Sequence, residues 1–490
     1  MPRKRKHYSL IWDDKSLAIK GPPSMEIKAA LTYTSKSLEP DPNRPYQRRT
    51  KKTREKIFHR TDHADRTCTL LTFQGMLDTV ITAILGFGGT FKLYDRRHKF
   101  PKPDLDAMHG FRNSQEELLT KALKQDRSGL VVAPTRYGKT AMLCNILNAY
   151  QDLKAVVLAP GIDLLPQLEE AIAFFCPGRE VKGIYTGSRN RIPSDDITVC
   201  SVDSIDKLDY EGTRLVVVDE PHTVATGPRS SAIAQFENAR VIGLGATVSG
   251  RWEGNDIMLT GLFGPKLSER TYVEAVEEGA ICPIKVKFIK IPFRHFPVRT
   301  RATAYKNLLT SKPYLDAIKK ISEDVIPADW QSLFFISNEK QGKAVQAALG
   351  GDAVLAMDKL MKKAGDRREM FRALKENEIV RCVCSNIYST GITLPEVRCA
   401  INCAEGGANI LSIQKPGRLA EVKDGKEAGY MFDFLFVPTN DANQLETIPD
   451  RDKLWKLPVN DSWARIKSYQ AKGYDVEIVD DLDALKPKIV

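Results

Sequence analysis

The stretch Ala133-Pro134-Thr135-Arg136-Tyr137-Gly138-Lys139-Thr140 constrains this chain more than any other. An apolar run that reads as a strand, Gly129 to Ala133, leads into it, and a helical stretch, Thr140 to Tyr150, leads out. A tight turn between a strand and a helix points backbone N–H groups at one spot in front of the helix N-terminus, where a phosphate is attracted. Gly138 lets the backbone approach closely, Lys139 neutralises the β- and γ-phosphates, and the Thr140 hydroxyl offers a ligand to Mg²⁺. Ala133 stands where such loops usually carry their first glycine.

About eighty residues on, Val216-Val217-Val218-Asp219-Glu220-Pro221-His222 ends another apolar run in two carboxylates. Asp219 is expected to hold Mg²⁺ through its water shell, and Glu220 to orient and deprotonate an attacking water. His222 either couples this site to a later segment or is a satisfied surface histidine.

The rest of the pattern sets the fold class, α/β. From about residue 110, strand-like runs alternate with helical ones: Gly129 to Ala133, Ala155 to Ala159, Val181 to Tyr185, Ile197 to Ser201, Leu215 to Val218 and Val241 to Gly245. Near-continuous β-branched runs separated by helices predict a parallel sheet covered on both faces, with its ligands at the strand C-termini. After about residue 290 the alternation resumes with Ser332 to Ile336, Ala353 to Ala356, Ile379 to Cys384, Cys399 to Asn402 and Gly429 to Asp433. Ahead of it all, short strands (Tyr8 to Trp12, Ser16 to Lys20, Thr90 to Tyr94) and helices (Met25 to Leu31, Thr72 to Leu85) predict a small α+β module. Pro40, Pro42 and Pro45 mark a loop within it. A helix is expected over Ser462 to Ala471.

Charge narrows the partners. The chain of 490 residues carries a formal +11, with much of the excess in Arg3 to Lys6 and Arg48 to Arg54. A polyanion is the expected partner, although basicity alone does not prove one. No apolar run is long enough to span a membrane, and the basic N-terminus lacks the apolar segment of a secretory signal. The nine cysteines are scattered without paired CxxC units. They read as buried thiols in a reducing compartment, Cys382 and Cys384 included, rather than as a zinc site.

Taken in order, Gln115, Ala133 to Thr140, Leu158 to Gln167, Asp219 to His222 and Leu244-Gly245-Ala246-Thr247 resemble helicase motifs Q, I, Ia, II and III. Ser332 to Ser337, Cys384 to Pro395 and Gln414-Lys415-Pro416-Gly417-Arg418 resemble motifs IV, V and VI. The chain is similar in this to superfamily 2 helicases of the XPB and phage UvsW type. The resemblance implies two tandem RecA-like parallel-sheet motor domains preceded by a small α+β N-terminal domain. The expected divisions are an accessory nucleic-acid-binding domain at 1–105, motor domains at 106–285 and 286–450, and a C-terminal extension at 451–490.

It also implies roles. ATP is expected between the two motor domains, contacted by Gln115, by Ala133, Pro134, Thr135, Arg136, Tyr137, Gly138, Lys139 and Thr140, and by Gly391. Gln115 either reads the adenine edge or is simply a polar residue opening its helix. Thr140 and Asp219 would hold Mg²⁺. Lys139, Asp219, Glu220, Gln414 and Arg418 would carry catalysis, with Arg418 as an arginine finger and Thr247 linking the γ-phosphate to the second domain. Pro160, Gln167, Thr186, Gly187, Ser204, Ser337 and Ser385 would line the nucleic-acid track, with Arg189 and Arg191 adding phosphate contacts. The N-terminal basic run, with Tyr46 and Phe58 nearby, either holds duplex or a junction or is a solvated loop.

Three positions depart from the family pattern. Glu421 stands where motif VI usually has a second arginine, for which Lys415 or Lys423 is a candidate substitute. Thr393 replaces the usual Asp of motif V, and Pro221 the usual small residue of motif II. The expected function is a DNA-dependent ATPase that moves on duplex, forked or branched DNA. An RNA helicase and a nucleotide-gated binding switch with little turnover stay open. So do a monomer and a larger assembly. The expected setting is the cytoplasm of a bacterial or phage-infected cell, or a nucleus in a eukaryote.

Overall fold

Alternating burial sets the first sheet. The computed structural model describes residues 5–485, apart from 42–43, 113, 185–193, 209, 226–227, 237, 247–255, 358–363, 386–395, 407–414, 441–443 and 481. The chain divides into two compact units, Met1–Thr271 and Tyr272–Val490. The N-terminal part of the first unit has strands β1 (His7–Trp12), β2 (Ser16–Gly21), β3 (Thr32–Asp41), β4 (Arg44–Lys56), β5 (Phe58–Asp62), β6 (Cys68–Phe73) and β7 (Thr90–Asp95). Five of them form a sheet in the order β5-β6-β2-β1-β7. Tyr8, Leu10, Trp12, Leu17, Ile19 and Leu70 point to one face and pack on Leu77, Val80 and Ile84 of the helix Leu77–Gly86.

Two expectations fail here. The helix predicted from Thr72 begins at Leu77, because Thr72 belongs to the buried alternation Cys68, Leu70, Thr72. Its hydroxyl donates to the Ile57 carbonyl at 2.6 Å. Pro40 and Pro45 of the expected loop, and the basic run, instead lie in the hairpin β3–β4, a separate two-stranded sheet, while Pro42 lies outside the described residues. Thr, Ser and Tyr along β3 favour extended backbone, and Pro40 falls at the end of the ladder, just before the register shifts.

This module is seated on the parallel sheet that follows it. A Cβ on Gly75 would lie 2.0 Å from the Thr260 carbonyl oxygen, so only glycine permits that approach to the helix Asp256–Phe263. Arg97 stacks on the Trp12 ring at 3.6 Å, and its guanidinium donates to the Asp126 carbonyl.

The parallel sheet of the first unit has β8 (Gly129–Val132), β9 (Ala155–Ala159), β10 (Val181–Ile184), β11 (Ile197–Ser201), β12 (Leu215–Asp219), β13 (Arg240–Gly245) and β14 (Lys266–Glu269). Its order is β10-β11-β9-β12-β13-β8-β14, with every pairing parallel. All strand C-termini therefore share one edge. The helices Lys139–Ala149 and Leu165–Phe175 follow β8 and β9.

The second unit repeats the design with β15 (Ile284–Phe293), β16 (Gln331–Phe335), β17 (Ala353–Ala356), β18 (Arg381–Cys384), β19 (Val397–Asn402), β20 (Gly429–Pro438) and β21 (Asp475–Val479). The order is β17-β18-β16-β19-β20-β15-β21, again all parallel. The architecture is thus two tandem RecA-like parallel sheets behind a small N-terminal α+β module. Strand β15 begins before the expected start of this sheet. Its lysines, Lys285, Lys287 and Lys290, interrupt the apolar run, and Lys287 and Lys290 pair with Glu477 and Asp480. Segment 451–490 contributes edge strand β21 and a helix, Lys456–Ala471, that starts earlier than expected. All nine cysteines are buried free thiols.

Candidate functional site

The strand–turn–helix at β8 builds the loop expected from its sequence to hold phosphate. Val132 and Ala133 are buried, and the loop rises to Gly138, whose φ of 86° lies in the left-handed region. Arg136, a non-glycine residue, also has positive φ, 73°, a conformation that costs about 1–2 kcal/mol. Lys139 and Thr140 then open the helix Lys139–Ala149, with Thr140 exposed at its N-terminus. Tyr137 is buried, and Pro134 is tucked beneath the loop.

Gln115 sits under this turn. Its Nε2 donates to the Tyr137 carbonyl, and its Oε1 accepts from the Arg112 N–H at 2.9 Å. Both ends of the amide are therefore committed to the protein backbone. A Cβ at Gly138 would come within 2.2 Å of Gln115 Nε2. The contact makes Gln115 a support for the loop, an effect its motif position did not reveal.

The carboxylates lie at the end of β12, one strand beyond β13 from the loop. Glu220 takes a left-handed conformation, φ 52°, and its N–H donates to the Leu244 carbonyl at 2.9 Å. That turn brings Glu220 Oε1 to 3.5 Å from Lys139 Nζ, and Oε2 to 3.3 Å from His222 Nδ1. Burial raises the Glu220 carboxyl, but Lys139 and His222 outweigh it and hold it below the usual carboxylate range. Burial, followed by the neighbouring Glu220 charge, pushes Asp219 up, only partly offset by Lys139. Two adjacent half-buried carboxylates facing one lysine are short of positive charge. That donor set suits a hard divalent cation such as Mg²⁺. Pro221 seats against motif III: a Cβ at Gly245 would be 3.0 Å from Pro221 Cδ, and one at Gly243 2.9 Å from Pro221 Cβ.

Other expected residues fall as follows. Pro160 and Gln167 flank the start of the helix after β9, with Gln167 exposed. Ser204 is fully buried in the turn after β11. In the second unit Ser337 is exposed at the end of β16; its N–H donates to Gln341 Oε1 at 2.9 Å and its hydroxyl accepts from the Glu405 N–H at 2.7 Å. The Ser385 N–H donates to the Ala356 carbonyl at 3.3 Å at the end of β18. Arg418 lies in the short turn Pro416–Leu419, only 6% exposed. Thr186, Gly187, Arg189, Arg191, Thr247, Gly391, Thr393 and Gln414 lie outside the described residues.

Neither lysine named as a substitute for the second motif VI arginine is spare. Lys415 is buried, donates to Asn402 Oδ1 at 2.9 Å and sits over the Phe335 ring. Lys423 pairs with Glu396. The residues that surround Lys415 were missed from sequence. Asp433 and Arg465, both buried, form an ion pair at 2.8 Å, and Asn402 Nδ2 donates to Asp433 Oδ2 at 2.9 Å. The available signal was a single Asp inside the apolar run of β20, which demands a buried partner.

The family described as the type III restriction enzyme res subunit matches residues 108–250, the span from just before Gln115 to just past motif III. A helicase of Sulfolobus islandicus filamentous virus is 22% identical over 63% of this chain and 60% of its own length. The DNA 3'-5' helicase XPB of Mycobacterium tuberculosis is 23% identical over 72% of this chain and 63% of its own. In sequence the chain is thus similar to helicases. It spans less than two thirds of the length of both these helicase relatives. Among solved structures, a fragment of an HsdR subunit of a type I restriction enzyme from Vibrio vulnificus YJ016 superposes with a TM-score of 0.53 at 13% identity. The match covers 85% of this chain and 94% of that one. This likeness is one of fold. No described helix is long and apolar enough to cross a membrane.

Proposed function

We propose that this superfamily 2 chain is an ATP-driven DNA translocase that hydrolyses ATP with Mg²⁺ and moves on duplex, forked or branched DNA. The observation that carries the proposal is the convergence of Lys139, Asp219 and Glu220 at one sheet edge, 3.5 Å separating Lys139 Nζ from Glu220 Oε1. In the free site Lys139 is held by Glu220. A bound triphosphate competes for that lysine, which frees Glu220 to take a proton from water. Asp219 and Thr140 would hold Mg²⁺, which supplies positive charge to the β- and γ-phosphates. Backbone N–H groups of the loop Ala133 to Gly138 bind the phosphates, and Gln115 keeps the loop in shape.

Arg418 is proposed as the finger that stabilises charge on the transferred phosphoryl group, an effect worth about 10³-fold or more in rate. Pro160, Gln167, Ser337 and Ser385 are proposed contacts to the nucleic-acid backbone, and Thr186 and Gly187 are proposed beside them from the sequence alone. The name of the mycobacterial relative, a DNA 3'-5' helicase, supports DNA over RNA.

The test is steady-state ATP hydrolysis with no nucleic acid, single-stranded DNA, duplex DNA, forked DNA and RNA side by side. Strong stimulation by duplex or forked DNA is expected. Preference for RNA would move the assignment to an RNA helicase. ATP binding without hydrolysis under every condition would make the protein a nucleotide-gated switch, with Glu421 and Thr393 as the reason.

A further inference from the structure

The hairpin β3–β4 belongs to neither the five-stranded sheet nor the parallel sheet of its unit. Its register pairs Thr32 with Lys56, Thr34 with Arg54 and Lys36 with Lys52; the alternate pairs are Tyr33 with Glu55, Ser35 with Thr53 and Ser37 with Lys51. Successive residues of a strand face opposite ways, so the register sorts the charge. One face carries Lys52, Arg54 and Lys56 with threonines opposite two of them. Glu55 falls on the other.

The second face is the anchored one. Tyr33 packs against the module's core. Ser35 Oγ lies 3.0 Å from Glu55 Oε1 and 3.3 Å from the Thr53 carbonyl oxygen. Thr53 and Glu55 are accordingly half-buried, whereas Lys52, Arg54 and Lys56 are exposed. Among the described residues these three cations form no ion pair. Like charges repeated along one face of a strand repel, and they stand about 6.8 Å apart, close to the separation of successive phosphates along one strand of a nucleic acid. The described residues of this face include no aromatic ring, so it lacks the stacking platform that single strands use.

We propose that this face of the hairpin grips the phosphate backbone of duplex DNA, with Lys52, Arg54 and Lys56 each neutralising a phosphate of one strand, independent of base sequence. The inference rests in part on the DNA reading above and assigns the N-terminal module its own contact surface. Binding by three cations releases condensed counterions, so it leaves a measurable mark on the salt dependence.

The experiment is fluorescence anisotropy of the full chain with a short labelled DNA duplex across a salt series, without nucleotide. Three proteins are compared: the unchanged chain, the triple variant K52S/R54S/K56S, and a control triple variant K99S/K102S/K124S that removes exposed lysines of the same unit. The slope of log K against log salt should lose about 2.7 in magnitude in the hairpin variant, about 0.9 per phosphate contact. The control should stay within about 1 of the unchanged chain. The charge-keeping variant K52R/K56R should retain the slope, which separates lost contacts from a misfolded hairpin. An unchanged slope, or an equal loss in the control, overturns the proposal. So does a loss seen only with single-stranded DNA, duplex RNA or anionic lipid vesicles. If DNA fails to stimulate ATP hydrolysis but the slope still changes, the motor reading falls and the clamp stands. DNA-stimulated hydrolysis with no slope change gives the reverse.

Discussion

Arg465, on the C-terminal helix Lys456–Ala471, and Asp433, in the middle of β20, form a buried ion pair in which both carboxylate oxygens are engaged. Arg465 Nε donates to Oδ2 at 3.0 Å, and Nη2 donates to Oδ1 at 2.8 Å. The same guanidinium also donates to the carbonyls of Gly406 and Phe434. Asn402 links Asp433 to Lys415 in motif VI. The helix between β20 and β21 is therefore joined, through the ion pair and the hydrogen bonds of Asn402, to the segment that carries Arg418.

Removing one partner of such a pair leaves a buried charge with no counter-ion. Arg465→Met is expected to cost about 3–5 kcal/mol of unfolding free energy. The double variant Arg465→Met/Asp433→Leu should recover much of that loss, because two apolar groups replace two charges. Denaturant unfolding of the full chain, following the second unit with a tryptophan signal from Trp455, measures both. A single variant within about 1 kcal/mol of the parent would show that the pair contributes little beyond packing.

Gly138 makes a second, local test. Its φ of 86° penalises any side chain, and a Cβ there would strike Gln115 Nε2 at 2.2 Å. Gly138→Ala is expected to lower ATP affinity at least tenfold, about 1.4 kcal/mol. Gly138→Ala/Gln115→Ala should bind ATP better than Gly138→Ala, since the clash is relieved while the backbone strain remains. Titration with a fluorescent ATP analogue decides it. Equal affinities of Gly138→Ala and the parent would mean that the loop does not hold this shape when nucleotide binds.

How much of this was readable beforehand follows the range of the interactions. The phosphate loop and the Asp219-Glu220 pair are local: strand, turn and helix signals lie within about a dozen residues, and the residue types are dictated by phosphate chemistry. The Lys139–Glu220 contact, though distant in sequence, was implied because parallel strands share one ligand edge. The hairpin β3–β4 was not legible. Three prolines and a run of cations read locally as a loop, and only pairing between Thr32 and Lys56 across the turn makes them strands. Strand β15 was hidden for a related reason, since its lysines pair with Glu477 and Asp480 nearly two hundred residues away. The burial of Ser204 was not legible either, because its motif position says where it sits in the chain, not that its turn folds inward. Asp433 could have been flagged, but Arg465 as its partner could not, because nothing local selects it.

Glu220 is the residue on which the hydrolysis reading depends. Glu220→Gln keeps the size of the side chain but removes the base and its attraction for Lys139. Turnover should fall by about 10²-fold or more, while ATP is still bound and DNA binding survives. Single-turnover hydrolysis and filter binding on the same preparation separate the two effects. Turnover within a few-fold of the parent would remove Glu220 as the base and turn attention to Asp219 or His222.

Lys415 gives a prediction with a definite sign in pH. Burial is the main influence on it and pulls it down to about 8 from its ordinary 10.5, against the opposing pull of Asp433. The folded chain therefore releases this proton near pH 8, whereas the unfolded chain keeps it to about 10.5. Between those values the unfolded state binds more protons, so this group makes the fold more stable as pH rises, and below pH 8 its full penalty is present. Lys415→Met carries no such proton. The stability of the parent minus that of Lys415→Met should accordingly increase from pH 8 towards pH 10, by up to about 1.4 kcal/mol per pH unit. Because both proteins share every other titrating group, the difference isolates this lysine. Paired urea melts at a series of pH values measure it. A difference that stays flat or falls with pH would mean that Lys415 remains charged inside the fold, held by Asp433 more strongly than burial opposes it.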